Sequence, residues 1–268
     1  MTDRIAVFAS RPPTLEHKAR EYAVELGGIK KSYGKREALK GISLRVAPGE
    51  VCSIIGASGS GKSTLLRCVN LSEEPDHGNM IVAGVYMQAG GDHSRKELQE
   101  LHRRVGTVFG AAGLAPRKTV LDNIVVAQRR QIKRRAGEAR DRAWQVLGQV
   151  GLFDIGGAFP GSLTPSQLRR VAIAKALALD PAVLLVDDPT RGIDADLVPG
   201  LIGVLEDVAA SGMTMLVATP ETELARRLSD HIVVLDEGAI VAQGSPTEIL
   251  PPATRPKPTR RSAAVLAR

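Results

Sequence analysis

Hydrophobic and polar positions along this chain alternate between strand-like and helix-like spacing. Residues 22–26 and 39–46 alternate apolar and polar side chains, the pattern of strands in a half-buried antiparallel sheet. Further short strands are predicted over 79–85 and 105–109. The spacing then turns helical over 120–130 and 138–150. A third helix is predicted from Pro165, a favourable first helical residue, to position 179. The run Ala182-Val183-Leu184-Leu185-Val186 is continuously apolar, as in a parallel strand buried on both faces, and it ends in Asp187-Asp188. Helices over 195–210 and 221–228 and strands over 214–218 and 231–235 complete the alternation. The expected architecture is α/β: a mainly parallel sheet core, an antiparallel β subdomain near the start, and a helical insert at about 110–170. There is no internal repeat.

One segment changes this from a fold to a site. Gly56-Ala57-Ser58-Gly59-Ser60-Gly61-Lys62-Ser63-Thr64 contains G-x-x-x-x-G-K-[ST], with an apolar strand, 51–55, before it and a helical pattern, 65–69, after it. Glycines let backbone N–H groups curl around phosphate oxygens, and the following helix N-terminus adds partial positive charge. Lys62 is expected to reach the terminal phosphates and Ser63 to ligate Mg²⁺. The aspartate pair reinforces this. A carboxylate at the end of a parallel strand faces the crevice where α/β folds bind ligands. Asp187 is expected to hold the Mg²⁺ shell opposite Ser63, and Asp188 to orient or deprotonate an attacking water.

Charge and composition remove competing readings. The net charge of +7 suggests nucleic acid until it is located. Five of those seven charges belong to a tail, 251–268, through Arg255, Lys257, Arg260, Arg261 and Arg268; the tail holds four prolines and no acid. The tail reads as disordered, with weak attraction to an anionic membrane leaflet as the alternative. The rest of the chain is nearly balanced and has no aromatic interleaving, so no nucleic-acid partner is expected. Cys52 and Cys68 flank the phosphate loop in apolar segments and are expected to pack as small hydrophobes. No apolar run approaches the ~18 residues that span a bilayer. Residues 1–21 match no pattern and read as an extension.

From 22 to 250 the order of motifs resembles the ATP-binding subunit of an ABC transporter, especially the polar amino acid uptake type. The resemblance is carried by Leu65-Leu66-Arg67-Cys68-Val69-Asn70, Glu73-Glu74-Pro75-Asp76, Thr119-Val120-Leu121-Asp122-Asn123 and Arg170-Val171-Ala172-Ile173-Ala174-Lys175-Ala176-Leu177. Asp236-Glu237-Gly238 and Gly244-Ser245-Pro246-Thr247-Glu248-Ile249 close it. It implies a P-loop NTPase of the ABC type, with ATP and Mg²⁺ as ligands and Tyr33 stacked on adenine. It further implies a signature at Leu163-Thr164-Pro165-Ser166-Gln167 that faces a partner's ATP, and Asp194 in a dimer loop. The implied partners are a second ATP-binding subunit, identical or not, integral membrane permease subunits and, indirectly, a solute-binding protein. The implied location is cytoplasmic, peripheral on the membrane through the permease.

Four departures qualify the resemblance. Gly110 stands where the family has glutamine, and Asp188 where it has the catalytic glutamate. Pro220 replaces the switch histidine, and Pro165-Ser166 replaces two signature glycines. Gly110 and Pro220 have no group to offer γ-phosphate or water, and a carboxylate drawn back by about 1 Å can cost on the order of 100-fold in rate. Ser166 is expected to add a side chain where a partner's γ-phosphate comes close. Gly110-Ala111-Ala112-Gly113 makes the permease-facing loop unusually small. The expectation is an importer subunit that binds Mg-ATP and hydrolyses it slowly. The alternatives are a regulatory subunit that binds without turnover, or a soluble relative outside transport.

Overall fold

The computed structural model describes residues 22–110 and 113–251. The N-terminal extension, Ala111, Ala112 and all but the first residue of the basic tail lie outside these. The chain opens with β1 (Val24–Tyr33), β2 (Arg36–Val46) and β3 (Val51–Ile55), then α1 (Lys62–Val69). Next come β4 (His77–Val82), β5 (Val85–Gln88), α2 (Arg95–Arg104) and β6 (Val105–Phe109). The helices α3 (Val120–Gln131), α4 (Ala136–Gln149) and α5 (Pro165–Leu177) precede β7 (Val183–Asp187). The remainder is α6 (Val198–Ala210), β8 (Thr214–Ala218), α7 (Thr222–Leu228), β9 (His231–Asp236), β10 (Ala239–Gly244) and α8 (Pro246–Ile249).

Two sheets result. A four-stranded sheet has the order β2-β1-β4-β5, antiparallel throughout. A six-stranded sheet has the order β10-β9-β3-β8-β7-β6, parallel except for the β9–β10 pair. The larger sheet is buried on both faces. Cys52, Ile54, Val183, Leu185, Leu216 and Val233 pack with the antiparallel sheet and α1. Val108, Leu184, Val186, Met215 and Val217 pack with α3, α4, α5 and α6. Burial pushes the Cys68 thiol up to about 12 and that of Cys52 up as well, so both sulfurs stay protonated and behave as apolar groups.

Several elements differ from their predicted extents, each for a local reason. β1 runs seven residues past Leu26, because the register shift at Gly27-Gly28 accommodates a bulge that interrupts the alternation. The single strand predicted over 79–85 is a hairpin. Val82 pairs with Val85, and Ala83 (φ 50°) and Gly84 (φ 78°) form the two-residue turn. An alanine in the left-handed region is a weak turn signal. Helix α2 escaped prediction because Leu101 is its one fully buried residue, although a capping box of Ser94 and Glu97 starts it. α6 begins at Val198, three residues late, after a turn at 195–197. β10 is an edge strand whose apolar residues run consecutively without alternating and are only half-buried or exposed, which leaves no strand period to detect.

The helices are tied to the sheet by a polar hub. Buried Gln128 donates to Ile124 O and Ala139 O and accepts from Arg134 Nη1 at 2.5 Å. Arg134 also donates to Ala178 O at 2.8 Å and pairs with Asp180, which Arg142 meets at 2.8 Å. Asp180 occupies the left-handed turn (φ 51°) leading into β7. Replacing Asp180 with alanine removes both ion pairs and leaves a poorer left-handed residue. Urea denaturation should show a loss of about 1–2 kcal/mol. Asp180→Asn, which tolerates that conformation and keeps an acceptor, should lose less.

Candidate nucleotide site

The carboxyl ends of β3, β8 and β7, adjacent in the sheet, form one crest, and three loops leave from it. The first is the phosphate loop, residues 56–61, leading into α1. Two of its three glycines are required by packing. A Cβ on Gly56 (φ 149°) would lie 2.1 Å from Leu235 O, and one on Gly61 (φ 108°) 2.5 Å from Ala38 O. The loop is anchored from outside: Arg36 Nη2 donates to Gly59 O at 2.8 Å, and Gly238 N–H donates to Ser60 O at 3.0 Å. Ala57, Ser58 and Gly59 are exposed, whereas Ser60 and Gly61 are buried.

Inside this curl lies the Lys62 ammonium, donating to Gly56 O at 2.8 Å and Ala57 O at 2.7 Å. Burial pulls its pKa below the usual lysine range, and the carboxylates of Asp188 and Asp187 oppose that shift. Next along the helix, Ser63 Oγ donates to Asp187 Oδ1 at 2.8 Å. Two residues 124 positions apart in sequence thus present a hydroxyl and a carboxylate at one point. Tyr33, at the end of β1, is 45% exposed. Lys31 Nζ lies 5.6 Å from the centre of its ring.

The second loop follows β7. Asp188 has φ 46°, a conformation that aspartate tolerates better than most residues, and its N–H donates to Ala218 O at 2.8 Å. Its carboxylate is turned along its own loop, with Oδ2 3.8 Å from Arg191 Nε. Burial raises its pKa, Arg191 opposes the shift, and Asp187 adds to it. Arg169 of α5 reaches the same loop and donates to Arg191 O at 3.3 Å. Asp194, further along, is exposed. The third loop follows β8: buried Thr219 donates its N–H to Ile54 O at 3.1 Å, and Pro220 after it is exposed.

The signature segment sits elsewhere. Leu163 packs into the helix-side core, on the face of the sheet opposite α1. Thr164 caps α5: its hydroxyl accepts from Gln167 N–H at 3.2 Å, and Gln167 Oε1 accepts from Thr164 N–H at 3.0 Å. Pro165 is the first helical residue, where an N–H has no intrahelical partner in any case. Ser166 differs from expectation: it is 5% exposed, so its side chain is covered by its own chain. Gly110 has φ 66°, left-handed backbone that suits glycine and would strain a longer residue. Sequence reasoning passed over Arg36, Arg169, Thr190 and Glu221; no local motif marks them, and only packing brings them to the crest.

Comparison with known proteins places this geometry. A family model described as ABC transporter matches residues 39–191. The L-cystine import ATP-binding protein TcyN of Bacillus subtilis is 42% identical over 226 residues, covering 84% of this chain and 87% of its own. The histidine/lysine/arginine/ornithine transport ATP-binding protein HisP of Escherichia coli is 38% identical, with 82% of this chain and 89% of its own covered. Among solved structures, cbiO1 of Clostridium perfringens, part of the cbiONQ ABC transporter complex, superposes with a TM-score of 0.77 at 29% identity, over 85% of this chain and 90% of that one. A dimeric bacterial ABC transporter cassette gives 0.73 at 30% identity, over 83% and 98%. Since the family match runs from within β2 through the phosphate loop to the turn after β7, and relatives align over more than four-fifths of the chain, this protein belongs to the ABC transporter family.

Proposed function

We propose that the chain is the ATP-binding subunit of an amino-acid importer, binding Mg-ATP and hydrolysing it slowly. The observation that carries this is the cradle itself: Lys62 enclosed by the loop carbonyls, with Ser63 Oγ 2.8 Å from Asp187 Oδ1. Its relatives bear the names of cystine, arginine and histidine/lysine/arginine/ornithine transport proteins, which supports amino acids as the cargo class. No helix among the described residues is long and apolar enough to cross a membrane. In this reading a separate membrane permease provides the path, with this chain held against its inner face. Solved relatives that are dimers support pairing with a second ATP-binding subunit.

A hydroxyl and a single carboxylate suit Mg²⁺, which keeps several waters and takes its other oxygens from nucleotide phosphates. Ser63 and Asp187 would hold it, and when bound it neutralises phosphate charge. Lys62 binds the terminal phosphates, the α1 N-terminus adds its dipole, and Tyr33 offers its exposed ring to the base. The groups that would split the terminal bond are weaker. Gly110 has no side chain to contact Mg²⁺ or water, Pro220 has no hydrogen-bond donor, and the Asp188 carboxylate is short and drawn toward Arg191. In a two-subunit sandwich, one site would carry these residues and the other would meet Pro165. Each lost transition-state contact costs about 2.7–4 kcal/mol, and even two effective losses slow turnover by about four orders of magnitude.

Titration with a fluorescent ATP analogue should give saturable, Mg²⁺-dependent binding that Lys62→Ala abolishes; no saturable signal would sink the reading. Ser63→Ala should leave Mg²⁺-free binding nearly unchanged and weaken the Mg²⁺-dependent gain by about tenfold, one lost ligand to the ion. Phosphate release, alone and with the permease, should stay well under about 1 per second, at the bottom of ordinary enzyme turnover. A faster rate would show that the altered residues are tolerated.

A further inference from the structure

A second carboxylate belongs to the loop after β8, which is bonded to the loop that carries Asp188. Glu221 precedes the first turn of α7, and its N–H donates to Thr219 Oγ1 at 3.1 Å. Its Oε1 accepts from the Thr190 hydroxyl at 2.7 Å. Both anchors are buried, Thr190 at 3% and Thr219 at 0% exposure, while Glu221 itself faces solvent. Thr190 lies two residues beyond Asp188, whose own N–H is held by Ala218 O, three residues before Glu221. Two hydrogen bonds therefore stitch the loop after β7, which carries Asp188, to the loop after β8, which carries Glu221. Glu221 adds least among the groups that shift the Asp188 pKa, after burial, Arg191, Asp187 and Arg169. The Thr190 bond engages one oxygen of Glu221. The other keeps its lone pairs, since no ion pair to Glu221 occurs among the described residues. Glutamate also reaches one methylene further than Asp188, which is turned toward Arg191.

We propose that Glu221 is a further catalytic residue of the slow hydrolysis, holding the attacking water and taking its proton. The proposal rests on the nucleotide-binding reading. In the step, the water oxygen forms a bond to the γ-phosphorus, and the bond from that phosphorus to the β,γ-bridging oxygen breaks. The electron pair stays on the bridging oxygen, giving ADP. One water proton passes to the Glu221 carboxylate and from there to solvent, and inorganic phosphate leaves. No further reactant is needed. Pro220, next to Glu221, has neither a backbone N–H nor a polar side chain, so it donates no hydrogen bond beside this carboxylate.

The discriminating variant is Glu221→Gln. Its amide oxygen still accepts from Thr190, so the stitch between the loops survives and only the proton acceptor is lost. Phosphate release from radiolabelled ATP, measured on the full chain with its permease, should fall by about 100-fold, the lower end for a lost general base. Affinity for the fluorescent ATP analogue should stay within about twofold, because a general base adds to the transition state and not to ground-state binding. Thr190→Val frees the carboxylate without removing it and should slow release by a smaller factor. Release from Glu221→Gln equal to wild type overturns the proposal, and so does a loss of ATP affinity as large as the loss of turnover. Wild-type release no faster than that of Lys62→Ala overturns it too. The binding titration, read separately, shows in each case whether the nucleotide-binding reading still stands.

Discussion

Leu184 and Leu185 are neighbours in the chain, yet they pack into different cores, one under the helices and the other under the antiparallel sheet. The same division runs through Met215 and Leu216 of β8. A strand whose side chains alternate into two dry compartments has little freedom to slip, because a one-residue shift would exchange the contents of both. That constraint holds β3, β8 and β7 in register, with Ile54 opposite Ala218 and Val186 opposite Val217. Their carboxyl ends therefore stop at one level. The phosphate loop, the aspartate pair and the loop holding Thr219 all leave from that level, which is why groups more than a hundred residues apart meet there.

Local packing constrains the phosphate loop tightly at two positions. Gly56 and Gly61 are pressed against the carbonyls of Leu235 and Ala38, and any side chain would displace them. At three other positions, on the crest or away from it, residues that depart from the family pattern suit the backbone that carries them. Gly110 takes a left-handed conformation, Asp188 another that aspartate tolerates, and Pro165 occupies a helix start where it forfeits no hydrogen bond. Pro165 follows a capping box that is fully formed. These residues are therefore compatible with the fold.

Much of the architecture was legible before any coordinates. Strands with a continuous apolar run, such as 214–218, and helices with strong periodicity, such as 120–131, match their predicted positions because burial dictates their composition. The phosphate loop was legible because its chemistry demands glycine and lysine at fixed spacing. Legibility failed wherever the deciding partner is distant or the local signal is weak. A bulge at Gly27-Gly28 hid the length of β1, an Ala-Gly turn hid a hairpin, and thinly apolar α2 left almost no pattern.

What the sequence determined by itself was the order of elements, the identity of the phosphate loop and the list of altered positions, since all of these are written in short stretches of contiguous residues. Only the tertiary structure decided that Ser63 and Asp187 share a hydrogen bond, that Ser166 is covered, and that Thr190 grips Glu221. The reason is physical. Spacing along a chain sets which face of an element a residue occupies, whereas contact across elements depends on how two cores are filled on either side of one sheet, and no local pattern carries that information.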